Sequence, residues 1–322
     1  MKLSICTDVF GKIPFTEMLD KVKAYGIDAV EMTAGGWGGC CFIPSAEELY
    51  KDEEKLRAFK AELEKRDMEI SALNCSGNPL IDSPMGQMHS KTIHDTVLLA
   101  EKLGVKTIVT MSGLPAGAPG DKTPNWIVST ISWPEYEGFN YMAEAVKFQW
   151  ETAAAWWKEF CGFARDHGVE KIAIEEFPGA LVHNIRTFRK LCEVVGDELN
   201  GVLGLNLDPS HLMIQGADPV AAARALGDKI FYIHGKDARV ERYLADVDGL
   251  LENLPVECSS ERTWNYVAVG CGRDLQWWKE FFSVAKMAGY DGYVSLEMED
   301  LTMSVEAGLA TSIEALKDTI SR

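Results

Sequence analysis

Cations are scarce in this 322-residue chain, where 32 Lys plus Arg stand against 49 Asp plus Glu for a net charge of −17. Nucleic-acid binding draws on cations that neutralise phosphates, so a pI near 4.8 argues against that class of partner. The same deficit argues against docking on anionic membranes. There is no apolar run of about 18 residues of the kind that spans a bilayer. The opening residues, MKLSICTDVF, offer neither an extended apolar stretch nor a small-residue cleavage site, and the expectation is a cytoplasmic protein. No C-x-x-C occurs among the eight cysteines, Cys6, Cys40, Cys41, Cys75, Cys161, Cys192, Cys258 and Cys271. They are expected to be reduced and mostly buried, with a redox reading left open for the adjacent Cys40 and Cys41. No Pro/Gly/Ser-rich linker divides the chain, so residues 1–322 are expected to form one domain.

Large apolar bodies are plentiful: 9 Trp, 13 Phe and 9 Tyr in a chain that is 47% hydrophobic and 25% charged. That composition builds a core and excludes disorder as the main state. One phrase recurs, a charged helix, a glycine, and then an apolar strand. It reads KAYGIDAVEM (23–32), EKLGVKTIVTM (101–111), DHGVEKIAIEE (166–176), RALGDKIFYIH (224–234) and KMAGYDGYVSLEME (286–299), and without the glycine EKRDMEISALN (64–74). A glycine there suits the left-handed residue that ends a helix. With two further apolar runs the phrases predict strands at 3–7, 28–32, 69–74, 106–111, 171–176, 202–207, 229–234 and 292–297. Amphipathic stretches, for example 16–25, 46–66, 89–103, 141–167, 184–195 and 274–288, with a final one at 305–320, predict helices between and after them. Strict β-α alternation with eight of each predicts an α/β fold, a closed (β/α)8 TIM barrel. Two long excursions, 112–140 after strand 4 and 235–273 after strand 7, lie on the face where such barrels carry their sites, and read as loops.

Polar residues gather at four consecutive strand ends. Strand 5 ends in Glu175-Glu176-Phe177-Pro178, strand 6 in Asn206-Leu207-Asp208-Pro209-Ser210-His211, strand 7 in His234-Gly235-Lys236-Asp237, and strand 8 in Glu297-Met298-Glu299-Asp300. Glu175 and Glu176 point to opposite faces, so only one enters the barrel mouth. Carboxylates brought so close repel unless a cation joins them. One imidazole with three carboxylates suits a divalent ion, Mn²⁺ foremost, with Mg²⁺, Co²⁺ or Zn²⁺ as alternatives, because the histidine favours transition metals over Ca²⁺. Taken singly, each has a plainer reading: Asp208 and Glu297 as helix caps, His234 as a hydrogen-bonded core imidazole. Gly35 to Gly39 (GGWGG) read as a rim loop rather than a phosphate cradle.

These phrases resemble a known family. KIAIEEFPGALVHN, GLNLDPSHLMIQGADP, IFYIHGKDARV, TWNYVAVGCGRDLQWW and GYDGYVSLEMED are similar to the sugar phosphate isomerase/epimerase superfamily, the xylose-isomerase-like barrels. The resemblance implies metal ligands at Glu175, Asp208, His234 and Glu297, with Glu299 as the alternative to Glu297. It implies a substrate-binding histidine at His211 and a substrate-facing arginine near Arg239. Two departures touch substrate contacts: Asn78-Pro79-Leu80-Ile81-Asp82 lacks the histidine of the family's N-P-L-H-P phrase, and Phe177 stands where relatives often place a histidine.

The shared elementary step implied by the resemblance is enolisation, with Glu175 or Glu297 removing the proton next to a carbonyl. Reprotonation then gives an isomerase or epimerase, while loss of a neighbouring group gives a lyase. His211 and Lys236 are placed to polarise the oxygen or move protons, although Lys236 reads equally well as an ion pair. The lyase reading has a counterpart in the metal-dependent subunit of C-glycoside deglycosidases, which acts on 3-oxo-glycosides. The aromatic excursion with Trp126, Trp133, Tyr136, Phe139 and Tyr141 suits an aromatic group, a partner protein or simple packing over the rim. An endonuclease IV-like site needs more than the six histidines present. The acidic end of strand 8 would repel phosphate, so a neutral, or 3-oxo, sugar is the expected substrate. The protein partners expected are a further copy of the chain or a small second subunit.

Overall fold

Gly104 shows how the recurring phrase folds. It ends the helix Pro84–Leu103 at φ 74° and ψ 16°, a conformation that disfavours a side chain, and its N–H bonds back to Ala100 and Glu101 carbonyls. Three residues later the chain is a strand. The computed structural model describes residues 1–38, 42–130 and 140–321. Its strands in chain order are β1 (Lys2–Cys6), β2 (Ala29–Thr33), β3 (Glu69–Asn74), β4 (Thr107–Met111), β5 (Lys171–Glu175), β6 (Leu203–Leu207), β7 (Ile230–Gly235), β8 (Asp237–Val240), β9 (Trp264–Val267) and β10 (Tyr293–Leu296). Eight of them close a barrel in the order β1-β10-β7-β6-β5-β4-β3-β2. Each barrel strand lies within one residue of its predicted bounds, and the fold is the expected (β/α)8 barrel.

Three expectations need correction. The helix predicted over 46–66 is two, Ala46–Lys51 and Glu53–Glu64. Asp52 separates them at ψ 101°, and its carboxylate accepts from the N–H groups of Glu54 and Lys55, capping the second helix. The helix predicted to start at residue 89 begins at Pro84, because Ser83 caps it by accepting from Gly86 N–H. The excursion after β7 is not a plain loop. β8 and β9 pair antiparallel from Asp237↔Val267 to Val240↔Trp264, and the helix Arg242–Asp248 lies between them. Asp237 anchors this insertion, accepting from the N–H groups of Ala238, Gly270, Gly272 and Arg273 and from the Trp278 indole.

Internal contacts divide the chain into two compact units. One comprises Met1–Met32, Arg57–Ala72 and Leu205–Arg322. Its strands bury Ile5, Val30, Leu205, Ile233, Val294 and Leu296, and the helix Leu275–Met287 packs Trp278, Phe281 and Phe282 out of water. A polar layer runs through its interior. The Ser71 hydroxyl lies 2.7 Å from both the Ser4 hydroxyl and the Tyr232 hydroxyl. Tyr232 shares a strand face with His234, two residues on, so the layer forms a hydrogen-bonded floor beneath that imidazole.

The other unit comprises Thr33–Leu56 and Leu73–Gly204. Ile108, Val109, Ile172 and Ile174 from β4 and β5 pack with Val97, Trp157, Phe160 and Phe188, all buried. Trp157 is fully out of water in this packing, as Trp278 is in the other unit. Trp37 N–H donates to the Ser76 carbonyl at 2.8 Å, and a Cβ on Gly36 would stand 2.1 Å from that same oxygen, so the 35–38 loop needs its glycine for close backbone approach. Gly39, Cys40 and Cys41 lie outside the described residues, as do Trp133, Tyr136 and Phe139. Cys6, Cys75 and Cys161 are buried free thiols; Cys192, Cys258 and Cys271 are partly exposed ones. Burial raises the Cys75 thiol to about 12, which makes it inert. No helix among the described residues is long and apolar enough to cross a membrane.

Candidate metal centre

β7 delivers His234 to the barrel mouth with its two ring nitrogens in different company. Nε2 lies 3.2 and 3.1 Å from the two carboxylate oxygens of Glu31, which is fully buried on β2. A carboxylate accepts only, so Nε2 donates to Glu31, and with that proton in place Nδ1 is the nitrogen that can offer a lone pair to a cation. Nδ1 faces Glu297 Oε2 at 3.2 Å and Asp208 Oδ2 at 3.8 Å, and a carboxylate–imidazole contact on this side is what a cation would bridge.

Asp208 follows β6 and turns the chain into the short helix Pro209–Met213. Its Oδ1 accepts from Ser210 N–H at 2.8 Å and from the Ser210 hydroxyl at 2.6 Å, leaving Oδ2 directed to the histidines. The cap reading and the ligand reading of this residue are therefore compatible, one oxygen serving each. Glu297 follows β10, its N–H bonded to the Gly235 carbonyl at 3.3 Å, with its side chain a quarter exposed. Together with Glu175 at the end of β5, these residues form a group whose ligand atoms all lie within 4.8 Å of one another. Glu175, Asp208 and His234 are buried, whereas Glu176 is buried outside the group. Three carboxylates and an imidazole lone pair in so small a volume, largely out of water, are a donor set that fits a divalent cation.

The remaining sequence-predicted residues fall at different distances from this group. His211, fully buried, sits 3.4 Å from Asp208 Oδ2 through Nε2 and receives the Tyr266 hydroxyl at Nδ1, 3.0 Å away. Lys236 bridges Glu297 at 3.2 Å and Glu299 at 2.9 Å, with its ammonium 4.3 Å from the Tyr266 ring centre. Burial works against that ammonium, but Glu297 and Glu299 outweigh it and hold its pKa well above the ordinary lysine value. Burial likewise pushes the Glu299 carboxyl up, against the pull of Lys236. Both readings of Lys236 are thus compatible with its position, since the ion pair places it beside Glu297. Arg239 lies further along β8, half-exposed, and forms a salt bridge with Glu241 at 2.7 Å.

Two contributors escape a reading of the sequence. Glu31 is a single acidic residue inside the apolar AVEMT of β2, and that interruption was its only signal. Tyr266 lies on β9, and only the pairing of β8 with β9 brings its hydroxyl to His211.

The family model for the xylose isomerase-like TIM barrel matches residues 19–319. This chain belongs to the xylose isomerase-like TIM barrels. A curated relative, the uncharacterized protein YfiH of Bacillus subtilis (strain 168), is 53% identical over 323 residues and covers 100% of each chain. Among solved structures, the IolI protein with a bound zinc atom is similar at TM-score 0.65 and 19% identity, over 100% of this chain and 98% of that one. The D-psicose 3-epimerase of Clostridium cellulolyticum H10, solved with D-tagatose, is similar at TM-score 0.63 and 15% identity, over 99% and 98%. Similarity at those identities concerns the fold. Members of the xylose isomerase-like family are enzymes, with epimerases, isomerases and a dehydratase among them.

Proposed function

We propose that this chain is a divalent-metal-dependent sugar isomerase or epimerase that removes a proton next to the carbonyl of a neutral, or 3-oxo, sugar. The observation that carries the proposal is the gathering of Glu175, Asp208, His234 and Glu297 within 4.8 Å. Those four residues would hold the ion, with Mn²⁺ the first choice on donor chemistry and zinc the second, after the similar IolI structure. A divalent ion there supplies Lewis-acid stabilisation of the negative charge that develops on the substrate oxygen.

The chain's own groups do the rest. Glu31 keeps the His234 proton on Nε2 and aims Nδ1 inward. Glu175 or Glu297 takes the proton from carbon as general base, and a neighbouring acid returns it. Lys236, held cationic between Glu297 and Glu299, orients a substrate hydroxyl or carbonyl oxygen through its ammonium protons. His211, oriented by Tyr266, serves as a hydrogen-bond partner to the sugar beside Asp208. Arg239 would reach substrate only after leaving Glu241.

Deuterium uptake from D₂O into a panel of ketoses and 3-oxo-glycosides, with Mn²⁺ and again after EDTA, tests the reading. Metal-dependent exchange without loss of a substituent is the expected result. Release of an aglycone would make the protein a lyase by the same first step. Wild-type rates in both Glu175→Gln and Glu297→Gln would sink the site assignment, since each variant is expected to lose turnover by at least about a hundredfold.

A further inference from the structure

Within the unit that carries Asp208, His234 and Glu297, a second concavity of about 240 Å³ opens among Val256, Arg262, Trp264, Tyr266, Glu299 and Leu301. Tyr266 and Glu299 belong to this space and also to the candidate centre. Glu299 accepts from the same Lys236 that contacts Glu297, and the Tyr266 hydroxyl reaches His211. Tyr266 and Glu299 thus link the concavity to the residues assigned to the sugar.

Most of the exposed wall is apolar, although Ser259, Asn265 and Thr302 also line it, and its aromatic part is already ordered. Arg262 is buried and presents a stacked plane, its guanidinium 4.3 Å from the Trp264 ring centre, while Nε and Nη1 donate to the carbonyls of Trp264 and Leu254. Trp264 is fixed in turn by its indole N–H on the Leu250 carbonyl at 3.2 Å. At the mouth, Val256 is 47% and Leu301 61% exposed, so two large apolar side chains stand in water beside a formed apolar recess. Apolar cavities of about 150 Å³ admit a benzene ring, so this one is large enough for a six-membered ring. Glu299, paired with Lys236, and Arg262 put one charge of each sign in the wall, so its apolar area rather than net charge is what selects an occupant.

We propose that this concavity is a binding site for an apolar, ring-sized substituent attached to the carbohydrate, so that the substrate is a glycoside-like sugar derivative rather than a free ketose. This rests on the reading of the neighbouring centre as the carbohydrate site. The side chains of β9 and of residues 256 and 301 then select the substituent, while the four acidic and imidazole residues act on the sugar.

The test is calorimetric titration of the full-length protein in Mn²⁺ with phenyl β-D-glucopyranoside and with methyl β-D-glucopyranoside. The phenyl compound is expected to bind at least about tenfold more tightly, a difference of about 1.4 kcal/mol. Leu301→Glu is expected to remove that preference while Mn²⁺ affinity, titrated separately, stays at the wild-type value. Equal affinities, no saturable binding of the phenyl compound, or tighter binding of glucose 6-phosphate would each overturn the proposal. So would a phenyl preference that survives both Leu301→Glu and Val256→Glu. Metal-dependent deuterium exchange without a phenyl preference would overturn this site and leave the enolisation reading standing. A phenyl preference that persists in EDTA, with no exchange on any sugar, would keep this site and remove the enolisation reading.

Discussion

His234 is held by Glu31 as much as by its own strand. A buried carboxylate on Nε2 fixes the ring's tautomer and raises the basicity of Nδ1, and removing such a partner commonly weakens metal binding by about 10- to 100-fold. Glu31→Gln is therefore expected to lower Mn²⁺ affinity by that factor while circular dichroism stays unchanged; wild-type affinity would show that Glu31 is only structural. A different histidine sets a pH limit. His89 is buried in the second unit and accepts the Asn78 N–H at Nδ1, 2.9 Å away, and burial lowers its pKa below the ordinary value of 6.5. The unfolded chain binds this proton more readily than the folded one. Its contribution to stability is thus complete above pH 6.5 and is lost as pH falls through the lower folded-state value. Urea midpoints measured at about pH 7.5 and about pH 5.5 should fall more in the wild type than in His89→Gln. Equal falls would assign the acid sensitivity elsewhere.

Among the elements, the β8–β9 insertion depends on one carboxylate. Asp237 gathers four backbone N–H groups and an indole, and a Cβ on Gly272 would stand 2.3 Å from the Ala238 carbonyl, so the return of the chain is fitted closely around it. Asp237→Asn keeps the shape but loses the charge-assisted bonds, for an expected cost of about 1–3 kcal/mol. Limited proteolysis should then cut within 241–262 before any other segment; an unchanged digestion pattern would contradict this. The same insertion marks where the sequence stops being legible. Five of the eight barrel strands announce themselves because each follows a local signal, a glycine such as Gly104 closing a helix shortly before an apolar run. DARV and WNYV are four residues each, too short to show alternation, and pair only across the whole of 241–263. The four-residue cluster was legible because four successive strand ends carry acidic residues or a histidine, and the resemblance pointed to one at each end. Glu31 and Tyr266 were not, because their roles exist only once distant strands lie side by side. The split at Asp52 was hidden because both halves keep one helical period, and only the carboxylate's own hydrogen bonds break it.

At the level of the whole molecule, a chain of net charge −17 attracts divalent cations without any specific site, so metal dependence has to be separated from screening. A cation that binds only the folded state stabilises it by about 2.7 kcal/mol at a hundred times its Kd. Mn²⁺ at that excess is expected to raise the thermal midpoint by several degrees, EDTA to reverse the rise, and the same concentration of Asp208→Asn to show little of it. An equal rise in both proteins would assign the effect to surface charge. Asp208 also governs how mutation is felt. One of its oxygens starts a helix and the other faces the imidazoles, and asparagine starts helices as well as aspartate does. With Asp208 as a ligand of the proposed ion, alanine at this position would be scored as a folding defect, and asparagine as a silent loss of chemistry. Under the proposed function, a lineage drifting away from catalysis would have a short road through that one codon to a barrel that is sound, abundant and inert.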